Sequence, residues 1–304
     1  MRILLAIFTL IYSYGYGQYS PLQSHYLFNG IALNPALTGS EQTLSVAGSF
    51  RYQWSGFPGA PKTETLSIHA PIKDKNSSFG IQLFADQIGV DRNVGVYGLY
   101  AYKFKINQSS KLSLGISGGV NMLRSLNEKL NLESQTDPSF AVDSPLGVLP
   151  NFSLGAHYYS TKYFISLSIP MFLSHDFDGG KYRTINEFNN YNILLGGGYE
   201  FELRNSIVLK PSVLMKYKPN NRLQADINLK LKLIDYLDVG VSYRTEEAII
   251  LFFEAKANRQ FSLMYSFGLP ISTLTKYSFG SHEISLKYNF LYKTNSASPR
   301  YLGW

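Results

Sequence analysis

The feature that most limits what this chain can fold into is a hydrophobic period of two, held over long runs, in a sequence with no apolar stretch long enough to span a membrane as a helix. Leu44, Val46, Gly48, Phe50, Tyr52 and Trp54 alternate with Ser45, Ala47, Ser49, Arg51 and Gln53. Leu112, Leu114, Ile116, Gly118, Val120 and Met122 oppose Ser113, Gly115, Ser117, Gly119 and Asn121. Leu223, Ala225, Ile227, Leu229, Leu231 and Leu233 oppose Gln224, Asp226, Asn228, Lys230 and Lys232. Successive side chains of a strand point to opposite faces, so each run has one apolar and one polar face. Globular strands typically stop near five or six residues, whereas a tilted bilayer crossing needs about nine to eleven. Strand length therefore argues for membrane crossings over a soluble sandwich.

Such runs lie near 43–54, 64–72, 78–87, 93–106, 111–123, 150–160, 162–173, 190–203, 206–217, 222–234, 236–245, 248–256, 260–269 and 281–292. The expectation is an all-β chain, an outer-membrane antiparallel β-barrel of about fourteen strands, an even number as bacterial barrels have. Connections on one side are long: Ser55–Thr63, Arg124–Leu149, Ser174–Asn189 and Pro270–Gly280. Those on the other are short, such as Asn107–Ser110, Arg204-Asn205 and Ala257–Arg259. Long loops outside and short turns on the periplasmic side are the asymmetry of outer-membrane barrels. Pro211 lacks the donor a closed wall requires, so a bulge is expected there.

Composition agrees. The chain has 23 Tyr and 20 Phe but only 16% charged residues, and its mean hydropathy is −0.09. That suits strands with one face in lipid, one face in a polar lumen, and rings at the interfaces. The net charge of +7 is dispersed with no Lys/Arg-rich run, so no nucleic-acid partner is expected. Cysteine is absent, which removes disulfides, thiolate chemistry and Cys-based metal sites.

Met1-Arg2 precedes an apolar run from Ile3 to Tyr12, and Gly15 and Gly17 supply a small-residue exit. This predicts a secretory signal over 1–17 cleaved before Gln18, and export to the outer membrane. The expected division continues with an N-terminal periplasmic or plug segment over 18–40, the barrel over 41–292 and a tail over 293–304. Asn34-Pro35-Ala36 and Gly39 read as turns that fold the 18–39 segment across the barrel mouth or inside it, closing its periplasmic side.

Catalytic and metal patterns are weak. Gly115-Ile116-Ser117-Gly118-Gly119 matches a nucleophile elbow literally, but that motif needs a strand-to-helix turn and here lies mid-strand. A lipid hydrolase would need a pair such as Ser117 with His157 on consecutive strands, and no third orienting residue is evident. The histidines have no i,i+4 partner. Asp176-Phe177-Asp178-Gly179-Gly180 lacks the terminal bidentate Glu of a calcium loop. Glu246-Glu247 reads as a solvated tip. No catalytic residue, cofactor or metal is expected.

The segment Gln18–Gly39, with Asn34, Pro35, Ala36 and Gly39, is followed in order by Arg51-Tyr52-Gln53-Trp54, by Gly59-Ala60-Pro61-Lys62-Thr63, by Asp86-Gln87-Ile88-Gly89 and by Tyr100-Ala101-Tyr102. This series closely resembles the opening of the PorP/SprF family, the type IX secretion system membrane proteins of Bacteroidota. Family members often have proline after the Phe-Asn pair, where this chain has Gly30. The resemblance implies a non-enzymatic outer-membrane accessory of secretion or gliding, surrounded by outer-membrane lipid. Its implied partners are a secreted surface protein with a type IX C-terminal sorting domain and periplasmic ring or peptidoglycan-binding components. Phe57 and Pro58 in the connection Ser55–Thr63, and Asp137, Pro138 and Phe140 in the connection Arg124–Leu149, are candidate docking residues, because exposed aromatics braced by proline make good anchors. The alternative is a passive transport channel, a porin or hydrophobic-substrate barrel. A porin usually lines its lumen with charge. Here the polar faces read mainly as Ser, Gly and Asn with isolated Arg51, Lys103 and Asp226.

Overall fold

The computed structural model describes residues 24–72, 76–129, 142–178, 180–203, 207–219, 221 and 223–290. The expected signal, the tail and loop residues Asp137, Pro138 and Phe140 lie outside these residues. Strands β1 (Leu44–Tyr52), β2 (Lys62–Pro71), β3 (Ser77–Ile88), β4 (Asp91–Lys105), β5 (Ser110–Ser125), β6 (Gly147–Ser160) and β7 (Tyr163–Ile169) follow one another around a wall. A separate hairpin, β8 (Ser174–Asp178) with β9 (Lys181–Ile185), intervenes. The wall resumes with β10 (Ile193–Tyr199), β11 (Phe201–Glu202), β12 (Val208–Tyr217), β13 (Gln224–Ile234) and β14 (Leu237–Arg244). It ends with β15 (Ala248–Lys256), β16 (Phe261–Pro270) and β17 (Ser281–Phe290).

Every pairing is antiparallel, and β17 returns to pair with β1, from Leu44↔Phe290 to Tyr52↔His282. β10 and β11 face β12 in one continuous register and count as one crossing, so the barrel closes with fourteen strands. Closure leaves no unpaired edge, the condition for a sheet to exist in lipid. Among the described residues no helix is long and apolar enough to cross a membrane.

The wall is inside out relative to a soluble protein. Ile81, Ile116, Ile165 and Ile227 are more than half exposed on the outside, while Ser45, Ser67, Ser113 and Asn228 are buried on the inside. Leaving a large aliphatic side chain in water forfeits about 1.5–3 kcal/mol each. A belt of them is stable only in hydrocarbon.

Two expectations change. Pro211 causes no bulge: β12 and β13 keep register through Pro211↔Leu229. The interruption falls on the neighbouring strand instead. Pro211 stands opposite Tyr199, and the β10–β12 ladder breaks between Gly198↔Ser212 and Phe201↔Leu209 before resuming in the same register. The missing proline donor is thus met by a gap in its partner. The connection 174–189 is also not irregular throughout, because it contains the β8–β9 hairpin. Tyr182 of β9 packs on the lumen side of Gly147, where a Cβ would come within 2.5 Å of its ring. Its hydroxyl lies 3.2 Å from Ser144 Oγ and donates to the Leu123 carbonyl at 3.3 Å. The hairpin therefore folds inward over the outer mouth.

Ile116, near the middle of β5 and lipid-facing, tests the assignment of faces. Ile116→Arg is expected to lower barrel stability by about 2–4 kcal/mol in denaturant titrations in vesicles, the cost of a cation at the bilayer midplane. Ser117→Thr, one residue along and facing the lumen, is expected to leave it nearly unchanged.

Candidate functional site: the filled lumen and its outer mouth

Residues 24–43 enter the barrel as three short 3-10 turns, Ser24–Leu27, Gly30–Ala32 and Pro35–Leu37. Proline at the first position of the third turn and the cap at Asn34 explain why the chain turns there: Asn34 Oδ1 accepts the Ala36 N–H at 2.8 Å. The same side chain is the plug's main anchor. Its Nδ2 donates to the Ala156 carbonyl at 3.1 Å, to Ser166 Oγ at 2.8 Å and to the Leu167 carbonyl at 3.2 Å. Ser113 Oγ donates to the Ala36 carbonyl, and Ser168 Oγ to the Leu33 carbonyl. Gly39 is clamped from both ends. Its N–H donates to His69 Nδ1 at 2.9 Å, and its carbonyl accepts from Lys103 Nζ at 2.6 Å.

The wall is shaped for this segment. A Cβ on Gly155 would lie 1.8 Å from Asn34 Oδ1, and one on Gly115 would lie 2.2 Å from the Ala36 nitrogen. Glycine is required at both, because the plug backbone reaches the sheet at Gly115 and the Asn34 side chain and Pro35 ring reach it at Gly155. On the far side Tyr26, Leu27 and Phe28 pack with Leu194, Leu214, Phe252 and Met264 into an apolar cluster inside the lumen. The Tyr26 hydroxyl donates to Asp226 and accepts from Asn228. Burial, then the Asp226 carboxylate, hold its phenol well above the usual range. Lys287 joins the plug twice, over the Phe28 ring at 4.4 Å and to the Glu41 carboxylate at 2.9 Å. That ammonium holds Glu41 below the usual carboxylate range.

Above the plug is a charged mouth. Arg244 makes a bidentate contact with Asp226, two N–H donors at 2.8 Å, and reaches Glu247 at 3.2 Å. Arg51 lies 4.0 Å from both Glu247 and Glu283. Glu247 also accepts from Gln224 at 2.9 Å. Burial works to raise the Glu247 carboxyl, but Arg244 and Arg51 overcome it and hold it below the usual range. Toward the periplasmic end Lys230 bridges Glu254 at 2.7 Å and Asp238 at 3.3 Å, and Lys256 meets Asp238 at 2.9 Å.

This corrects two sequence readings. Arg51 and Asp226 are not isolated charges, since β13, β14, β15, β17 and β1 carry a network of ion pairs. Glu247 is not a solvated tip but a partly buried acceptor within that network. Alternation had already put these residues on polar faces; the missing signal was register, which alone sets Asp226 opposite Arg244.

Several family-motif residues that are distant in sequence meet here. Glu283↔Arg51, Arg51↔Thr63, Thr63↔Asp86 and Asp86↔Asn93 form one row across β17 and β1–β4, and Thr63 Oγ1 donates to Asp86 Oδ1 at 2.6 Å. The Gly89 N–H donates to the Gly59 carbonyl at 2.9 Å, joining two external turns. Buried Gln53 donates its N–H to the carbonyl of buried Pro61, and Ala60 donates to Phe57. Trp54 takes a positive φ of 50° and is held by Ser281 Oγ. Ile88 is exposed at the tip of β3. Phe57 and Pro58 are exposed on the first loop. That loop is tied to the β16–β17 loop: Ser55 donates to Gly280 at 2.7 Å, and Phe279 to Ser55 at 2.8 Å. The Phe279 ring covers Gly56 yet remains 81% exposed, and Tyr277 is 68% exposed. Sequence reasoning overlooked Tyr277 and Phe279, although an aromatic pair within a long external loop was the available signal.

The candidate hydrolase pair does not form. Ser117 Oγ lies 2.6 Å from Ser153 Oγ, whereas His157 is four residues further along β6, roughly 13 Å away at strand rise. Among the described residues no group of three His, Asp or Glu side chains could hold a metal.

Asn34→Ala removes four hydrogen bonds at one buried point, and Gly155→Val fills the space Asn34 occupies. Both variants are expected to expose residues 26–39 to added protease while the barrel keeps its heat-modifiable mobility on gels; protection equal to wild type would show that the anchor is elsewhere.

No curated protein sequence matches this chain. Two solved structures share the fold: the CymD monoaromatic hydrocarbon channel and the Acinetobacter baumannii outer membrane protein Omp33. CymD is 10% identical with a TM-score of 0.51, covering 92% of this chain and 96% of that one. Omp33 is 9% identical with a TM-score of 0.50, covering 82% and 98%. The profile of the family described as type IX secretion system membrane protein PorP/SprF matches residues 16–288. The chain therefore belongs to the PorP/SprF family of type IX secretion system membrane proteins and is an outer-membrane β-barrel.

Proposed function

We propose that this barrel is a non-enzymatic, occluded accessory of the type IX system that holds a secreted surface protein at the outer face of the membrane. The observation that carries this reading is the dryness of the lumen. Ser45, Ser67, Ser113, Asn228 and Arg244 point inward and are buried at 2% exposure or less, packed by the plug and by ion pairs. A diffusion channel leaves such groups in contact with water. The outer face, by contrast, offers Phe57, Tyr277 and Phe279 on two loops zipped together by backbone hydrogen bonds. Rigid exposed rings lose little conformational freedom on binding, which suits them to docking a partner. The periplasmic opening, near Glu41 and the start of β1, leaves a machinery contact from below open as a second role.

Tagged purification of the full chain from its native host in mild detergent, read by mass spectrometry, separates the roles. Recovery of a large secreted protein with a type IX sorting domain supports the anchor. Recovery of periplasmic ring and peptidoglycan-binding components instead makes the barrel a machinery subunit. A barrel that emerges alone and conducts in planar bilayers would move the reading to passive transport, for which the ion-paired wall of β13–β17 would be the lining. The double variant Phe57→Ala with Phe279→Ala is expected to reduce retention of the surface protein by about tenfold or more, the effect of losing one or two hot-spot rings. Membrane insertion should be unchanged; undiminished retention would place the docking surface elsewhere.

A further inference from the structure

The lipid-facing rim of β2–β5 carries a row of polar and cationic residues that neither the plug nor the mouth uses. Register sets Tyr52 opposite Lys62, Lys62 opposite Gln87, Gln87 opposite Arg92 and Arg92 opposite Arg124. Directly opposed residues project from the same face of a sheet. Alternation assigns this face to the outside, since Phe50 and Val94, two residues further into the membrane from Tyr52 and Arg92, are exposed to lipid. The row therefore lies where the apolar band ends and outer-leaflet headgroups begin. Strand spacing places Arg92 about 5 Å from Arg124 and about 10 Å from Lys62, backbone to backbone.

Like charges directly across two strands repel and destabilise the pairing. The Arg92 side chain has no hydrogen bond or ion pair among the described residues. Arg124 meets Asp143 at 3.1 Å but keeps half its side chain exposed. The other acid on this face is Glu64, two residues from Lys62. Three cations thus outnumber two carboxylates. The charge is local: across the barrel the corresponding outward rim residues are Tyr217, Ala225, Tyr243, Ile249 and Leu269, all uncharged.

We propose that Lys62, Arg92 and Arg124 form a binding strip for the phosphate groups of an outer-leaflet glycolipid, with one phosphate clasped between the two guanidiniums. A phosphate shared by two arginines accepts paired N–H donors and removes their mutual repulsion. Lys62, a strand further away, meets a second anionic group of the same headgroup. The strip fixes lipid on the β2–β5 side of the barrel.

The test is native mass spectrometry of the full chain in mild detergent, titrated with bisphosphorylated lipid A and with its dephosphorylated form. The phosphorylated probe should bind about tenfold more tightly, or 1.4 kcal/mol. Arg92→Gln with Arg124→Gln should reduce it to the level of the dephosphorylated probe. Lys181→Gln with Lys218→Gln, removing two cations elsewhere on the outer side, should change nothing. Equal binding of the two probes, or undiminished binding by the double arginine variant, would overturn the proposal. If that variant fails to fold, Arg92→Lys keeps the charge but loses the forked donor; it should still weaken phosphorylated lipid A several-fold, and unchanged affinity would overturn the proposal equally.

Discussion

The structure depends on one constraint: a closed wall of fourteen strands encloses more space than its own inward side chains can fill. Eight strands make an interior just wide enough for side chains to meet, and diameter grows with strand number. Something else must occupy this lumen or water must. Here the occupant is the chain's own segment before β1, anchored by Asn34 on β6 and β7, by Gly39 on β2 and β4, and by Tyr26 on β13. The apolar cluster of Tyr26, Leu27 and Phe28 with Leu194, Leu214, Phe252 and Met264 gives the barrel an internal core that its outward-facing aliphatics cannot provide. The plug acts as the core that strands facing lipid lack.

The charged wall follows from the same geometry. Charges taken out of water cost several kcal/mol each unless they are paired and hydrogen-bonded, and a well-made buried pair does little better than offset that cost. The ion pairs are therefore better understood as fixing register than as a source of stability. A one-residue slip between β13 and β14 would turn Asp226 or Arg244 toward lipid, where neither has a partner. The same holds for Lys230, whose two carboxylate partners are on the next two strands. The lumen face of β5 and β6 is specified differently. There Gly115 admits the plug backbone and Gly155 the Asn34 side chain, and any side chain at either would collide with the plug.

Much of this architecture was legible in the sequence, for a physical reason. A strand in a membrane wall must alternate over its full length, so the fourteen runs stood out, and the lengths of their connections oriented them. What alternation does not carry is register. Arg51, Thr63 and Asp86 were visible as separate motifs, but only the pairing of β1, β2 and β3 brings them into one row. Asp226 and Arg244 are eighteen residues apart on strands whose offset no local pattern fixes, so the ion-paired wall was missed. Pro211 was read as a defect in its own strand because the compensating gap is in a neighbour. The external hairpin β8–β9 was hidden because its strands are five residues long and flank a turn rich in Asp and Gly.

Asp226 joins the plug to the mouth. One of its oxygens takes the Tyr26 hydroxyl from within the plug, and both take Arg244 from β14. Arg244 in turn holds Glu247, whose backbone carbonyl accepts the Ile271 N–H at the start of the β16–β17 loop. That loop is zipped to the first external loop through Ser55, Phe279 and Gly280. Hydrogen bonds that share a carboxylate in a dry environment polarise one another, and removing one partner leaves the rest incompletely satisfied. Withdrawing the plug would thus take a donor from Asp226 and loosen the hold of Arg244 on the turn that braces the outer loops. The segment that fills the lumen is, by this chain of contacts, also part of what keeps the outer face rigid.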